Sequence, residues 1–139
     1  MINFHYETEF SLEDAENYTN WIINIIRSEK AVLGDLSYIF CSDNYLLKLN
    51  QKYLKHNSFT DIITFDYSEQ KVISGEIYIS IDRVRDNAVK FKEDFNRELL
   101  RVMAHGVLHL LGYKDKGKNE KEEMSTKEDE KMYMFHVKQ

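Results

Sequence analysis

A helix that carries two histidines one turn apart and is then stopped by a glycine fixes more of this chain's geometry than any other feature. The segment runs Ala104-His105-Gly106-Val107-Leu108-His109-Leu110-Leu111-Gly112-Tyr113-Lys114-Asp115. Side chains four apart on an α-helix stand on one face, so the His105 and His109 imidazoles can converge on a single ion. A third ligand has to come from elsewhere. Gly112 follows His109 by three residues, where a left-handed residue ends a helix and turns the chain back towards the histidine face. Asp115 falls just beyond that turn.

The pattern His-x-x-x-His-x-x-Gly-x-x-Asp has the ligand spacing of a metzincin-type zinc site with a carboxylate in place of the last histidine. Three protein ligands leave one position of a tetrahedral zinc open, which a catalytic site requires. A His-x-x-x-His pair alone also fits packing or surface exposure, and Asp115 alone fits a solvated loop or a cap. The register of Gly112 and Asp115 with the pair is what points to a metal. In a zincin the residue after the first histidine is a glutamate acting as general base, and here it is Gly106. A positioned base contributes roughly 10²–10⁴-fold in rate, so peptide hydrolysis is poorly provided for. Attack on a phosphodiester, by activated water or by a substrate 2′-hydroxyl, suffers less.

The rest of the chain reads as an α+β arrangement in the order βαβαββααα, with a mixed four-stranded sheet. Ile2, Phe4 and Tyr6 alternate with polar residues as in a half-buried strand, and Ser11 or Asp14 is placed to cap a helix bearing Ala15, Tyr18, Ile22 and Ile25. A second strand is expected from Leu36 to Cys41. Ser42 and Asp43 then open a helix that presents Leu46, Leu49 and Tyr53. Strand, helix, strand implies a parallel crossover. Ile62 to Tyr67 and Glu76 to Ile81 alternate cleanly around a short connection containing Ser68 and Gly75, which predicts an antiparallel pair. From Asp82 the period is helical: Val84, Ala88 and Phe91, then Phe95, Leu99, Val102 and Gly106 after Asp94, and a last helix from about Glu120 to Phe135.

No repeat, low-complexity tract or linker divides the 139 residues, so residues 1–139 are expected to form one domain. A hydrophobic fraction of 42% beside 31% charged residues is compatible with a packed core and excludes wholesale disorder. The single cysteine, Cys41, lies in an apolar stretch and is expected to be buried and reduced. The N-terminal residues lack the pattern of a signal peptide and no apolar run is long enough to span a bilayer, so a cytoplasmic protein without membrane contact is expected. A formal charge of -5 requires any nucleic-acid face to be local.

The segment His105-Gly106-x-Leu108-His109-Leu110-x-Gly112-Tyr113 resembles the characteristic motif of the YbeY family. Leu49-Asn50-x-x-Tyr53, Thr60-Asp61-Ile62-Ile63-Thr64-Phe65, Gly75-Glu76-Ile77-x-Ile79-Ser80 and Arg97-Glu98-Leu99 extend the similarity from about Leu36 to Met132. The resemblance implies a zinc-dependent single-strand endoribonuclease acting in 3′-end maturation of small-subunit ribosomal RNA and in ribosome quality control. It implies small-subunit proteins and an assembly GTPase as partners. His105, His109 and Asp115 become the metal-binding and catalytic residues.

Two departures stand out. The family's motif usually closes on a third histidine, and Asp115 replaces it; an anionic oxygen ligand suits Zn²⁺ and also admits another divalent metal such as manganese or iron. Related proteins usually carry an arginine where Leu54 stands, so the phosphate contacts fall to Lys55, His56, Arg101 and Lys114, all of which are otherwise ordinary surface or ion-paired residues. Two other readings remain open on the sequence: a non-catalytic assembly factor with a structural metal, and a metalloprotease-like hydrolase.

Overall fold

The computed structural model describes residues 1–55 and 59–136. Four strands, β1 (Ile2–Tyr6), β2 (Val32–Cys41), β3 (Ile62–Asp66) and β4 (Val72–Ser80), form one sheet in the order β1-β2-β4-β3. β1 runs parallel to β2 and β2 parallel to β4, while β3 is antiparallel to β4, so the expected mixed sheet is present. The helices are α1 (Ala15–Ser28), α2 (Asp43–Leu49), α3 (Ile81–Lys90), α4 (Phe95–Leu110) and α5 (Lys118–His136).

Period-two alternation decides which helix covers which face of the sheet. Leu36, Tyr38 and Phe40 of β2 and Ile73, Ile77 and Ile79 of β4 join the main core with α1, α4 and α5. The opposite face contributes Cys41 and Ile63, which pack with Leu46 of α2 in a smaller cluster. Each fully buried aliphatic side chain of this kind is worth roughly 1.5–3 kcal/mol. Cys41 is buried, as its surroundings suggested, and burial pushes its thiol up to about 12. No helix of the described residues is long and apolar enough to cross a membrane.

Several boundaries differ from those the sequence suggested. β2 begins four residues early, at Val32, because Val32 and Leu33 pair with Val72 and Ile73. Gly75 lies inside β4, paired with Asp66, so the connection is shorter than expected. Ile81 opens α3 instead of closing β4, because the Ser80 hydroxyl accepts the Arg83 N–H and caps the helix. After Leu49 the chain does not continue as α-helix but as one π-helical turn, Asn50–Leu54, and Tyr53 is left exposed. Asp14 and Asp94 occupy the N-cap positions of α1 and α4, yet neither side chain caps a backbone N–H.

α4 is fixed against the sheet from two directions. The buried Tyr38 hydroxyl donates to the Met103 carbonyl at 2.9 Å. At Gly106 the helix comes so close to β3 and β4 that an added Cβ would stand 2.7 Å from Ile77 Cγ2 and 3.0 Å from Ile62 Cδ1. Gly112, at φ +106°, then ends α4 in a Schellman turn: the Gly112 N–H donates to the His109 carbonyl and the Tyr113 N–H to the Leu108 carbonyl, each at 3.0 Å.

The chain leaving that turn is tethered to α1 and α5. The Tyr113 hydroxyl donates to Glu29 Oε1 at 2.6 Å, and the other carboxylate oxygen accepts from Lys131 Nζ at 2.7 Å. Lys131 is only 1% exposed, and its ammonium also meets Glu130 Oε2 at 2.7 Å and Ser28 Oγ at 2.9 Å. Burial raises the Glu29 carboxyl, but hydrogen bonds from Lys131 and Tyr113 and the charges of Lys131 and Lys127 prevail and hold it at about 2.

Two outcomes follow. Gly106→Val should destabilise the protein by roughly 1–3 kcal/mol through overpacking, read as a lowered urea midpoint at unchanged slope; an unchanged midpoint contradicts the packing. Glu29 has a depressed folded pKa, so its contribution is present above about 4.5 and lost as the pH falls towards about 2. Glu29→Gln should therefore cost roughly 3–5 kcal/mol at neutral pH. Its deficit should shrink across that acid window, and a pH-independent deficit would rule the pairing out.

Candidate metal centre

The helix and the Schellman turn deliver the three expected residues to one point. Asp115 Oδ2 lies 3.2 Å from His105 Nε2 and 3.5 Å from His109 Nε2. One ligand atom from each residue fits within 4.8 Å of the others. A tetrahedral ion with ligands at about 2.0–2.1 Å needs ligand atoms about 3.3–3.4 Å apart, and the two carboxylate-to-imidazole separations bracket that value. The donor set, two imidazoles and one carboxylate, suits zinc and leaves a vertex for substrate or water.

The imidazoles are oriented from behind. Glu128 of α5 lies 2.6 Å from His105 Nδ1, a contact that in the neutral ring holds the proton on Nδ1 and leaves Nε2 facing Asp115 as the ligand atom. His109 is held by a hydrogen bond to the Tyr113 backbone, inside the turn that carries Asp115. Glu128 is itself nearly buried, and its other oxygen accepts from Arg101 Nη1 at 3.1 Å. Burial disfavours the imidazolium of His105, yet the Glu128 carboxylate outweighs it and raises the pKa above the usual histidine range. Burial and the neighbouring His105 lower that of His109. Two lone pairs and a carboxylate that face one another require a positive charge between them, supplied by a proton or a cation.

A cavity of about 370 Å³ opens onto this point, with Thr60, Asp61 and Ile62 on one wall and Glu98, Arg101 and Glu128 on another. Glu98 is 5% exposed, and burial pushes its carboxyl up against the pull of Arg101. Asp61 is likewise raised by burial and pulled down by His105.

The remaining predicted residues are spread more widely. Arg101 lines the cavity, but its guanidinium is engaged by Glu128 and by Asp129 on α5, each at 3.1 Å. Lys114 is exposed and borders a different cavity, beside Glu29, Glu120 and Glu123. Lys55 ends the π-helical turn in a left-handed conformation and is exposed. His56 lies outside the described residues. Glu128 was visible in the sequence only as a position on the last helix; a carboxylate and an amine, Glu128 and Lys131, on that helix's inner stripe were the available signal.

Gly106 turns out to face the sheet, against Ile77 and Ile62, and not the cavity. A zincin-type glutamate has no room there, so the metalloprotease reading has neither a base nor a place for one.

Comparisons with known proteins agree with this architecture. A family model described as Endoribonuclease YbeY matches residues 1–136. The chain is 54% identical over 139 residues to the Endoribonuclease YbeY of Flavobacterium psychrophilum, covering 100% of this chain and 99% of the relative. It is 53% identical to that of Flavobacterium johnsoniae, with both chains covered in full. A solution structure of a Thermotoga maritima protein superposes with a TM-score of 0.67 at 28% identity, over 97% of this chain and 89% of that one. With matching sequence over nearly its whole length, the chain belongs to the YbeY endoribonuclease family.

Proposed function

We propose that this protein is a metal-dependent endoribonuclease that cuts single-stranded RNA during maturation of small-subunit ribosomal RNA, with His105, His109 and Asp115 holding the ion. The observation that carries the reading is the meeting of two imidazole nitrogens with one carboxylate oxygen at tetrahedral spacing, beneath an open cavity. The family supports RNA as substrate and an endonucleolytic reaction.

A divalent ion bound there supplies Lewis acidity towards a phosphoryl oxygen. The chain's own residues do the rest. Glu128 keeps a proton on His105 Nδ1 and so keeps Nε2 free for coordination. Arg101, held by Glu128 and Asp129, is the cation on the cavity wall that a phosphate would meet. Asp61 and Glu98, cavity-wall carboxyls that burial biases towards the protonated form, are the groups available to exchange a proton with a phosphodiester bound there. Gly106 leaves the helix without the base a protease needs, which favours phosphodiester over peptide chemistry.

Zinc is the ion the donor set favours, with manganese or iron admitted by the Asp115 oxygen. Action in ribosome quality control, contact with small-subunit proteins and an assembly GTPase, and residence in the cytoplasm complete the reading. An assembly factor with a purely structural metal is the competing role, and metal removal separates the two.

Replacing both histidines by alanine should abolish cleavage of single-stranded RNA and stoichiometric metal binding while the far-ultraviolet circular dichroism stays native. Asp115→Ala should lower metal affinity, measured by chelator competition against elemental analysis. Undiminished cleavage by the double alanine variant contradicts the assignment. Loss of fold on metal stripping indicates the structural role instead.

A further inference from the structure

Next to the metal cavity lies a second one of about 430 Å³, with Leu54, Phe59, Thr60, Ile62 and Thr64 among its walls. Thr60 and Ile62 line both, so they form a sill between them. The groove follows β3, an outer strand of the sheet. Its apolar walls are wet: Phe59 is 55% exposed and Leu54 44% exposed. An aromatic and a leucine left in solvent at one cavity, beside a candidate active centre, mark a surface with something to bind.

Two local features hold these side chains out. Leu54 closes the π-helical turn, a rare geometry that recurs at functional sites, and Lys55 follows in the left-handed region at φ 56°. Phe59 is backed by a cation: the Arg83 guanidinium carbon lies 5.8 Å from its ring centroid. Arg83 is in turn fixed by Asp43 at 3.1 Å. The ring is thus steadied from outside the groove that it lines.

We propose that this groove is a nucleobase subsite, in which the unpaired base of the nucleotide next to the scissile phosphate packs on Phe59 and against Leu54. The inference rests on the endoribonuclease reading and specifies how the strand is held. A base offers a flat π face to an aromatic ring whatever its identity, so such a site grips single strands without reading sequence. A base inside a duplex is stacked on both faces and cannot enter. The sill at Thr60 and Ile62 then separates two chemistries, the sugar-phosphate at the ligand cluster and the base in the apolar groove. Leu54, where an arginine was expected from the family resemblance, fits this division: it exchanges a phosphate contact for an apolar contact with a base.

The test is steady-state cleavage of one single-stranded RNA and of variants in which each nucleotide in turn is an abasic ribose. The wild type, Phe59→Leu and Phe59→Tyr are compared. One abasic position beside the cut should raise the wild-type KM about tenfold with little change in kcat, the loss expected for one base stacked on an aromatic ring. Phe59→Leu should show that raised KM on intact RNA and lose its sensitivity to the abasic position, while Phe59→Tyr retains both. A wild type indifferent to every abasic position overturns the subsite, without reference to any variant. So does Phe59→Leu that senses the abasic position as the wild type does, and in either case the endoribonuclease reading survives. If the wild type cleaves no RNA, both fall.

Discussion

Two imidazoles on one helix face reach a common oxygen only because the helix ends where it does. The Asp115 carboxylate is brought back by a single left-handed residue, Gly112, whose Schellman turn satisfies the last carbonyls of α4 and reverses the chain. The Tyr113 hydroxyl then ties the turn to Glu29 and through it to the buried Lys131. Glu128 sets the tautomer of His105 from the same helix that carries Lys131. His105, the turn that carries Asp115 and α5 are therefore tied together by hydrogen bonds and ion pairs.

The sheet contributes by exclusion. α4 approaches β3 and β4 so closely that residue 106 has no room for a side chain, and the position that carries a general base in zincins is occupied by the isoleucines of the core. Packing thus decides chemistry: the same contact that anchors the helix removes the proteolytic base. The cavity wall carries carboxyls elsewhere, Asp61 just before β3 and Glu98 two turns earlier on α4 itself. Burial biases both towards their neutral forms, which lessens the negative charge that a phosphate would meet there.

Much of this was legible in the sequence, for physical reasons that also mark where legibility stops. His105, His109, Gly112 and Asp115 are close in the chain, so helix period and one turn suffice to bring them together. Period-two alternation in β1 to β4 placed the strands, and only their ends moved where pairing or capping overrode propensity, as Ser80 did at the start of α3. Glu128 and Glu29 lie 23 and 84 residues from the partners they hold, and no local pattern reports a contact of that range. Arg101 illustrates the same limit: its partners Glu128 and Asp129 lie 27 and 28 residues away, on the packed α5. The π-helical turn at Asn50–Leu54 also escaped, because a five-residue departure from α-helix leaves the apolar period almost intact.

The claim on which everything else depends is the identity of the ligands around the ion. X-ray absorption at the metal edge of the protein as purified measures it without reference to activity. Light-atom scatterers are expected at about 2.0–2.1 Å, with the multiple-scattering pattern of two imidazoles and no sulfur shell near about 2.3 Å. A spectrum without imidazole scattering, or one dominated by sulfur, would contradict it.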